Sequence, residues 1–214
     1  MTDRVFLEIL DEAAAAPAEL PLSRARLLER ALIGGGAVIA GGVLLGGLPS
    51  TGSTAPSASQ DVEILNFALL IEYLQASFYA EALAKGALRR ERRRFARIVG
   101  SHEQAHASLI DRTLAGKARQ KPRFDFSDTT SEQAKFDQTA VVLEEIGLAA
   151  YNGQASNLTK AALGTAAKIM SVEARHASWI RAIVGRVPAP DATDQGKSAA
   201  QVSSALNQTG FVRS

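Results

Sequence analysis

Apolar positions recur every three or four residues through most of the chain after residue 60, the period of a helix with one buried face. Leu65, Ala68, Leu69, Glu72 and Tyr79 fall on one such stripe, and the spacing predicts a helix over 61–85 that stops at Gly86. The same pattern predicts a second helix over 87–114, stopped at Gly116, a third over 131–151, and a fourth from about 157 to 184, closed by Gly185 and Pro188. Thr129 and Glu132 have the spacing of a capping box at the start of the third helix. Gly153 to Asn157 read as the turn before the fourth, with Ser156 or Asn157 as its cap. A polar connection, 117–130, lies between the second and third helices, and the polar tail, 188–214, carries one short helix expected near 198–207.

Proline placement turns this into an architecture. The seven prolines, at 17, 21, 49, 56, 122, 188 and 190, leave 57–121 and 123–187 free of proline, each 65 residues long. Each stretch suits two antiparallel helices and a short turn, because proline breaks helix interiors. The expected fold is all-α: a four-helix bundle over 61–187, made of two hairpins joined by a crossover connection. Thirty-nine alanines, the best helix formers, agree with it.

The N-terminal third has a different pattern. Residues 31–48, ALIGGGAVIAGGVLLGGL, form an uncharged run just long enough for a membrane span, though seven glycines make it weakly apolar. Arg24, Arg26 and Arg30 precede it and no charge follows until Asp61, so a leader at 1–30 is expected to stay cytoplasmic and everything after 48 to be exported. Residues 49–60 read as a flexible linker, with small residues at Ser57, Ala58 and Ser59 where a signal peptidase could cut. Three readings of 31–48 stand: a cleaved signal peptide, an uncleaved anchor, or a buried or interfacial segment. SRARLLERA (23–31) and the glycine-rich run resemble a twin-arginine export signal, with Ala25 separating the two arginines. The expected location is the periplasm, the cell envelope or the extracellular space.

Composition narrows the chemistry by exclusion. The 214 residues contain no cysteine, which removes disulfide scaffolds, thiol nucleophiles, iron–sulfur clusters and thiolate zinc sites. A net charge of +2 gives no case for nucleic acid as a partner. Apolar residues at 46% are enough for a real core.

The second helix carries Glu103-Gln104-Ala105-His106 and the fourth carries Glu173-Ala174-Arg175-His176. In each, carboxylate and imidazole share one helix face. One such pair is commonplace on a solvated surface; one in each hairpin is much less easily accidental. Glu72 lies 31 residues before Glu103, and Glu144 lies 29 before Glu173, so each returns through its hairpin turn to about the same height. Glu72 sits inside FALLIEYLQASF, where a buried unpaired charge is strongly unfavourable unless neutralised or bound to metal. Glu144 is preferred to Glu145 because Glu72 is followed seven residues later by Tyr79 and Glu144 seven later by Tyr151, about two helical turns on the same face. The candidate ligands are therefore Glu72, Glu103, His106, Glu144, Glu173 and His176. Four carboxylates and two imidazoles suit two carboxylate-bridged divalent ions, iron or manganese first and zinc as a further option.

ILNFALLIEYLQASFY (64–79), SHEQAH (101–106), LEEIGLAAYNG (143–153) and EARHASW (173–179) resemble the ferritin-like superfamily, and more narrowly the exported bacterial ferritin-like domain proteins related to plant desiccation-related proteins. The resemblance implies a bundle with a carboxylate-bridged dimetal centre. Members of the wider superfamily oxidise ferrous iron, dispose of peroxide or activate dioxygen. The position that often carries a second acidic residue after the first-helix motif is Gln75 here, and it is not counted as a ligand.

The expected function is a di-iron or di-manganese oxidoreductase of metal or oxidative stress, ferroxidase or catalase-like, with dioxygen or peroxide as small substrate. A structural or stress-protective envelope protein with a non-catalytic metal is the alternative. A lower one is a zinc hydrolase, because HEQAH (102–106) also matches His-Glu-x-x-His. On the dimetal reading His102 lies at the surface or just behind the ligands. Tyr79 and Tyr151 are core aromatics or hydrogen-bond partners of ligands. Gly100 and Gly147 leave room for a small substrate or for close helix packing. RRERRRFAR (89–97) is a solvated helix start, or a contact for acidic lipid headgroups or an acidic partner. A homodimer is plausible, the membrane is a partner through 31–48 if that run is uncleaved, and nothing points to a 24-subunit cage.

Overall fold

The computed structural model describes residues 55–213. The leader, the apolar run 31–48 and the first half of the linker, 49–54, lie outside the described residues. Among those described, no helix is long and apolar enough to cross a membrane.

Four long helices form the bundle: α1 (Ala58–Lys85), α2 (Arg90–Leu114), α3 (Gln133–Gln154) and α4 (Lys160–Ile183). Ser57 caps α1 by accepting from Gln60 N, and Gly86, at φ 71°, ends it in the left-handed conformation that favours glycine. α2 starts three residues later than its sequence pattern suggests, at Arg90 rather than 87.

The side chains at either end of α1 define the topology. Near its N-terminus, Asn66 Nδ2 donates to Lys117 O (3.0 Å), just beyond the end of α2. Near its C-terminus, Lys85 Nζ donates to Thr130 Oγ1 (2.7 Å), just before α3. The connection between hairpins therefore runs the full length of the bundle, leaving α3 antiparallel to α1 and parallel to α2. Midway along it, β1 (Arg123–Phe124) pairs antiparallel with β2 (Val212–Arg213), Phe124 opposite Val212. Neither strand is legible in the sequence pattern, since two residues carry no alternation.

Several local expectations are corrected. The Thr129–Glu132 capping box does not form: Thr129 Oγ1 donates instead to Phe126 O (2.6 Å), and Glu132, the N-cap of α3, makes no side-chain cap bond. α3 does not turn at Gly153 but continues to Gln154, followed by a single 3-10 turn, Ala155–Asn157. The cap of α4 is Thr159, not Ser156 or Asn157, and Asp61 holds it from α1 through Thr159 N (2.9 Å) and Oγ1 (2.5 Å). Arg92 is not simply solvated. It forks onto Asp137 of α3 (3.1 and 3.0 Å) and donates to Ile183 O at the end of α4.

The expected tail helix is α5 (Ala199–Thr209), closed into a capping box by Ser198 and Gln201. Far from being a loose polar tail, it buries Val202, Leu206 and, just beyond, Phe211. The chain reaches it by crossing α3 at Gly153, where an added Cβ would stand 1.9 Å from Lys197 O, while one added at Gly196 would stand 2.7 Å from Gly153 N. Backbone touches backbone at this crossing, so glycine is required on both sides.

The core is two apolar clusters rather than one. One, at the α1 C-terminal end, holds Phe78, Tyr79, Phe95, Phe126, Phe136 and Phe211 among others. The second, at the opposite end, is built on Leu65, Leu69, Ile110, Tyr151 and Ile169. Glu72, Glu103, His106, Glu144, Glu173 and His176 are buried at the height between them.

Candidate metal centre

Each helix delivers its polar residues by periodicity. Glu72 lies on the apolar stripe of α1, Glu144 on that of α3, and the Glu-x-x-His pairs stand on the inner faces of α2 and α4. All four carboxylates are fully buried, and His106 and His176 nearly so, at 8% and 3% exposure.

The six side chains form two overlapping groups whose donor atoms lie within 4.8 Å of one another: Glu72, Glu103, His106 and Glu173; and Glu103, Glu144, Glu173 and His176. Glu103 and Glu173 belong to both. His106 Nδ1 stands 3.0 Å from Glu103 Oε2, 3.2 Å from Glu173 Oε1 and 3.3 Å from Glu72 Oε2. His176 Nδ1 stands 2.9 Å from Glu103 Oε1 and 3.4 Å from Glu144 Oε2. One imidazole nitrogen cannot donate to three carboxylates at once. These spacings are instead the edges of a coordination shell, since donors about 2.1 Å from an ion stand roughly 3.0–3.4 Å apart around an octahedron or tetrahedron.

Unsatisfied atoms give an independent test of the fit. Among the described residues seven buried side-chain atoms lack a hydrogen-bond partner, and six of them belong to these ligands: Glu72 Oε2, Glu103 Oε1, Glu144 Oε2, both oxygens of Glu173 and His176 Nδ1; the seventh is Gln75 Oε1. His176 Nδ1 is close to Glu103 but misaligned for a hydrogen bond, so proximity there is convergence and not pairing. Each such atom costs about 1–3 kcal/mol, more when charged, and six in one place would consume much of a domain's stability. Divalent cations would satisfy all six, so the residues present fit such a group.

Without cations, protons take that place. Burial first, then the charge of Glu103, pushes Glu72 up to about 8. Burial and the Glu72 charge push Glu173 up to about 7. Burial and Glu173 raise Glu103 as well. Burial disfavours the imidazolium of His106, but the carboxylates of Glu103, Glu173 and Glu72 crowded around it outweigh that and push this group up to about 12. His176 goes to about 10 in the same way, against burial, through Glu103 and Glu144.

The two tyrosines are core aromatics and hydrogen-bond partners at once. Tyr79 donates to Glu144 Oε1 and Tyr151 to Glu72 Oε1, each across to the other hairpin. Burial and the neighbouring carboxylates hold both hydroxyls well above their usual range, so they remain donors. Each fixes one oxygen of its carboxylate and leaves Oε2 facing the cluster.

Glu145 points away, onto Arg181 Nε (3.2 Å). His102 joins neither group. It is exposed, and its Nδ1 lies 2.9 Å from Nε2 of His176, the ring nitrogen facing away from the carboxylates. The arrangement in which His102 and His106 share one zinc is therefore not formed. Gly100 serves helix packing, its missing Cβ replaced by Tyr79 Cβ 2.9 Å away. The space at Gly147 is taken by Glu173 Oε2 (2.8 Å from an added Cβ) and by the Gln75 amide.

Gln75, not counted as a ligand from the sequence, supports one instead. It is fully buried, and its Nε2 donates to Glu144 Oε1 (3.2 Å) and Leu143 O (3.3 Å). The available signal was an amide one turn beyond Glu72 on an otherwise apolar stripe.

Residues 60–186, well over half of the chain, match the model of a family described as a ferritin-like domain. No curated protein matches the chain.

Proposed function

The chain belongs to the ferritin-like domain family, and we propose that its bundle holds two divalent ions, iron or manganese, and reacts with dioxygen or hydrogen peroxide at them. The observation that carries this reading is the set of buried, partnerless carboxylate and imidazole atoms converging on two shared points. Glu72, Glu103, His106 and Glu173 would hold one ion, and Glu103, Glu144, Glu173 and His176 the other. Bound there, a pair of redox-active ions supplies electrons to a small oxidant. The chain's own part is to fix and seal the site. Tyr151 and Tyr79 orient Glu72 and Glu144, Glu103 and Glu173 span both positions, and the two apolar clusters exclude water above and below. Oxygen and imidazole donors without thiolate favour iron or manganese. The charge pattern around 31–48 adds an exported or membrane-anchored setting, in which the protein meets metal or oxidative stress at the cell envelope.

The test is anaerobic loading of the purified chain with ferrous or manganous ion, elemental analysis, then exposure to dioxygen or hydrogen peroxide. About two ions per chain, reduced alike by Glu103→Ala and Glu173→Ala, with consumption of oxidant by the loaded protein, is the expected result. Two ions without turnover would leave a structural metal. A single zinc lost with His102→Ala would restore the hydrolase reading.

A further inference from the structure

The site is built on a two-fold pattern. Glu72, Tyr79, Glu103 and His106 of the first hairpin correspond to Glu144, Tyr151, Glu173 and His176 of the second, with crossed tyrosine–carboxylate bonds. The correspondence fails at two positions near the ligands. Where the first hairpin has His102, one residue before Glu103, the second has Val172, which has no hydrogen-bonding side-chain atom. Where the first has Gln75, three residues after Glu72, the second has Gly147.

Both breaks act on the same half. His102 Nδ1 lies 2.9 Å from His176 Nε2, the two rings within 18° of parallel. Gln75 Nε2 adds a second donor to Glu144 Oε1, beside the Tyr79 hydroxyl. On the other half, Glu72 Oε1 receives Tyr151 alone, and His106 Nε2 has no protein partner among the described residues. His106 is also the more exposed of the two imidazoles. Outer partners fix a ligand's orientation and the nitrogen it presents. With His176 Nδ1 turned to the cluster, its Nε2–H donates to His102 Nδ1, so the ring is set before an ion arrives.

We propose that the two metal positions are inequivalent, the one at Glu103, Glu144, Glu173 and His176 filling first and holding tighter because His102 and Gln75 pre-set its ligands. The position at Glu72, Glu103, His106 and Glu173 fills second and exchanges its ion. His102 and Gln75 are positioning residues. This rests on the dimetal reading and assigns an order within it.

The test is anaerobic titration of the full chain with Mn(II), followed by calorimetry and by the electron paramagnetic resonance signal of free and bound ion. The wild type is expected to bind in two steps. His102→Ala should weaken the first step alone by about 10–100-fold. The metal-free protein should stay folded, its melting temperature lowered by no more than a few degrees, because the single hydrogen bond to His176 is lost from an otherwise exposed side chain. His102→Asn, whose amide oxygen can accept from Nε2–H, should recover most of the loss. His106→Ala should abolish the second step and keep the first. Two equal sites in the wild type, an unchanged first step in His102→Ala, or equal weakening of both steps would overturn the proposal while leaving the dimetal reading in place. A wild type that binds no metal would overturn both.

Discussion

Replacing Gly147 with alanine tests whether the backbone of α3 is kept bare for the metal ligands. A Cβ there would stand 2.8 Å from Glu173 Oε2 and 3.2 Å from Gln75 Nε2, against 3.4 Å or more for ordinary contact. The Glu173 carboxylate must retreat by roughly 0.6 Å or tilt out of line. Alanine improves helix propensity by about 1 kcal/mol, and overpacking a tight interior costs about 1–3 kcal/mol. The metal-free variant should thus lose about 0–2 kcal/mol, a few degrees in melting temperature for a domain of this size. The larger effect falls on metal. Glu173 belongs to both groups, so both ions should bind about 10-fold or more weakly. Gly164→Ala is the control, at an exposed helical position with nothing within 4 Å of the new methyl. It should gain about 0.5–1 kcal/mol and bind metal as before. The assay pairs thermal melts of metal-free protein with Mn(II) titration of the same samples. If Gly147→Ala matches Gly164→Ala in both readings, the space beside Glu173 is incidental and the reasoning fails.

Three further outcomes are expected. Glu144→Ala should lose metal in elemental analysis, whereas Glu145→Ala should keep it and lose at most about 1 kcal/mol with its part-exposed Arg181 pair; the reverse would reassign the α3 ligand. The metal-free protein should become less stable as pH rises: Glu72 and Glu173, at about 8 and 7, and His106 and His176, at about 12 and 10, all stand above their unfolded values, so folding takes up protons whose contribution is complete below about pH 4.5 and is lost upward through about 8 for the glutamates and about 12 for the histidines, and a melting temperature that climbs from about pH 5 to 9 would contradict the assignment. Gly153→Ala should release the segment at Lys197 and α5 from α3, seen as fast amide exchange through 196–213, since the new Cβ would meet Lys197 O at 1.9 Å; unchanged protection there would mean the backbones can part without loss.

The sequence revealed the parts of this molecule that repeat. Two Glu-x-x-His pairs, a glutamate on an apolar stripe and a tyrosine two turns on each give a periodic or duplicated signal. From these the four helices and the six clustered side chains could be read. What escaped was set by contacts between distant residues. Thr159 caps α4 because Asp61 of α1 holds it, an interaction across 98 residues. Gly153 looked like a turn residue, but it is helical and bare because the chain crosses it at Lys197. Val212 pairs with Phe124 through backbone bonds that need no particular side chain. His102 looked like half of a zinc motif because its partner, His176, lies 74 positions away.

The exchange of donors between hairpins has a consequence for the molecule cut in half. Each hairpin brings three donors to one position and a single donor, Glu103 or Glu173, to the other. A hairpin is thus one donor short of a complete shell, and the residue that fills the gap in its neighbour is of the same kind as the one it lacks. Two copies of either hairpin, laid face to face, would each lend the glutamate that the other needs. The full chain is in this sense a dimer tethered by the crossover. The tether spares it the concentration dependence of such a pairing and leaves its halves free to diverge, as positions 75 and 102 already have from 147 and 172.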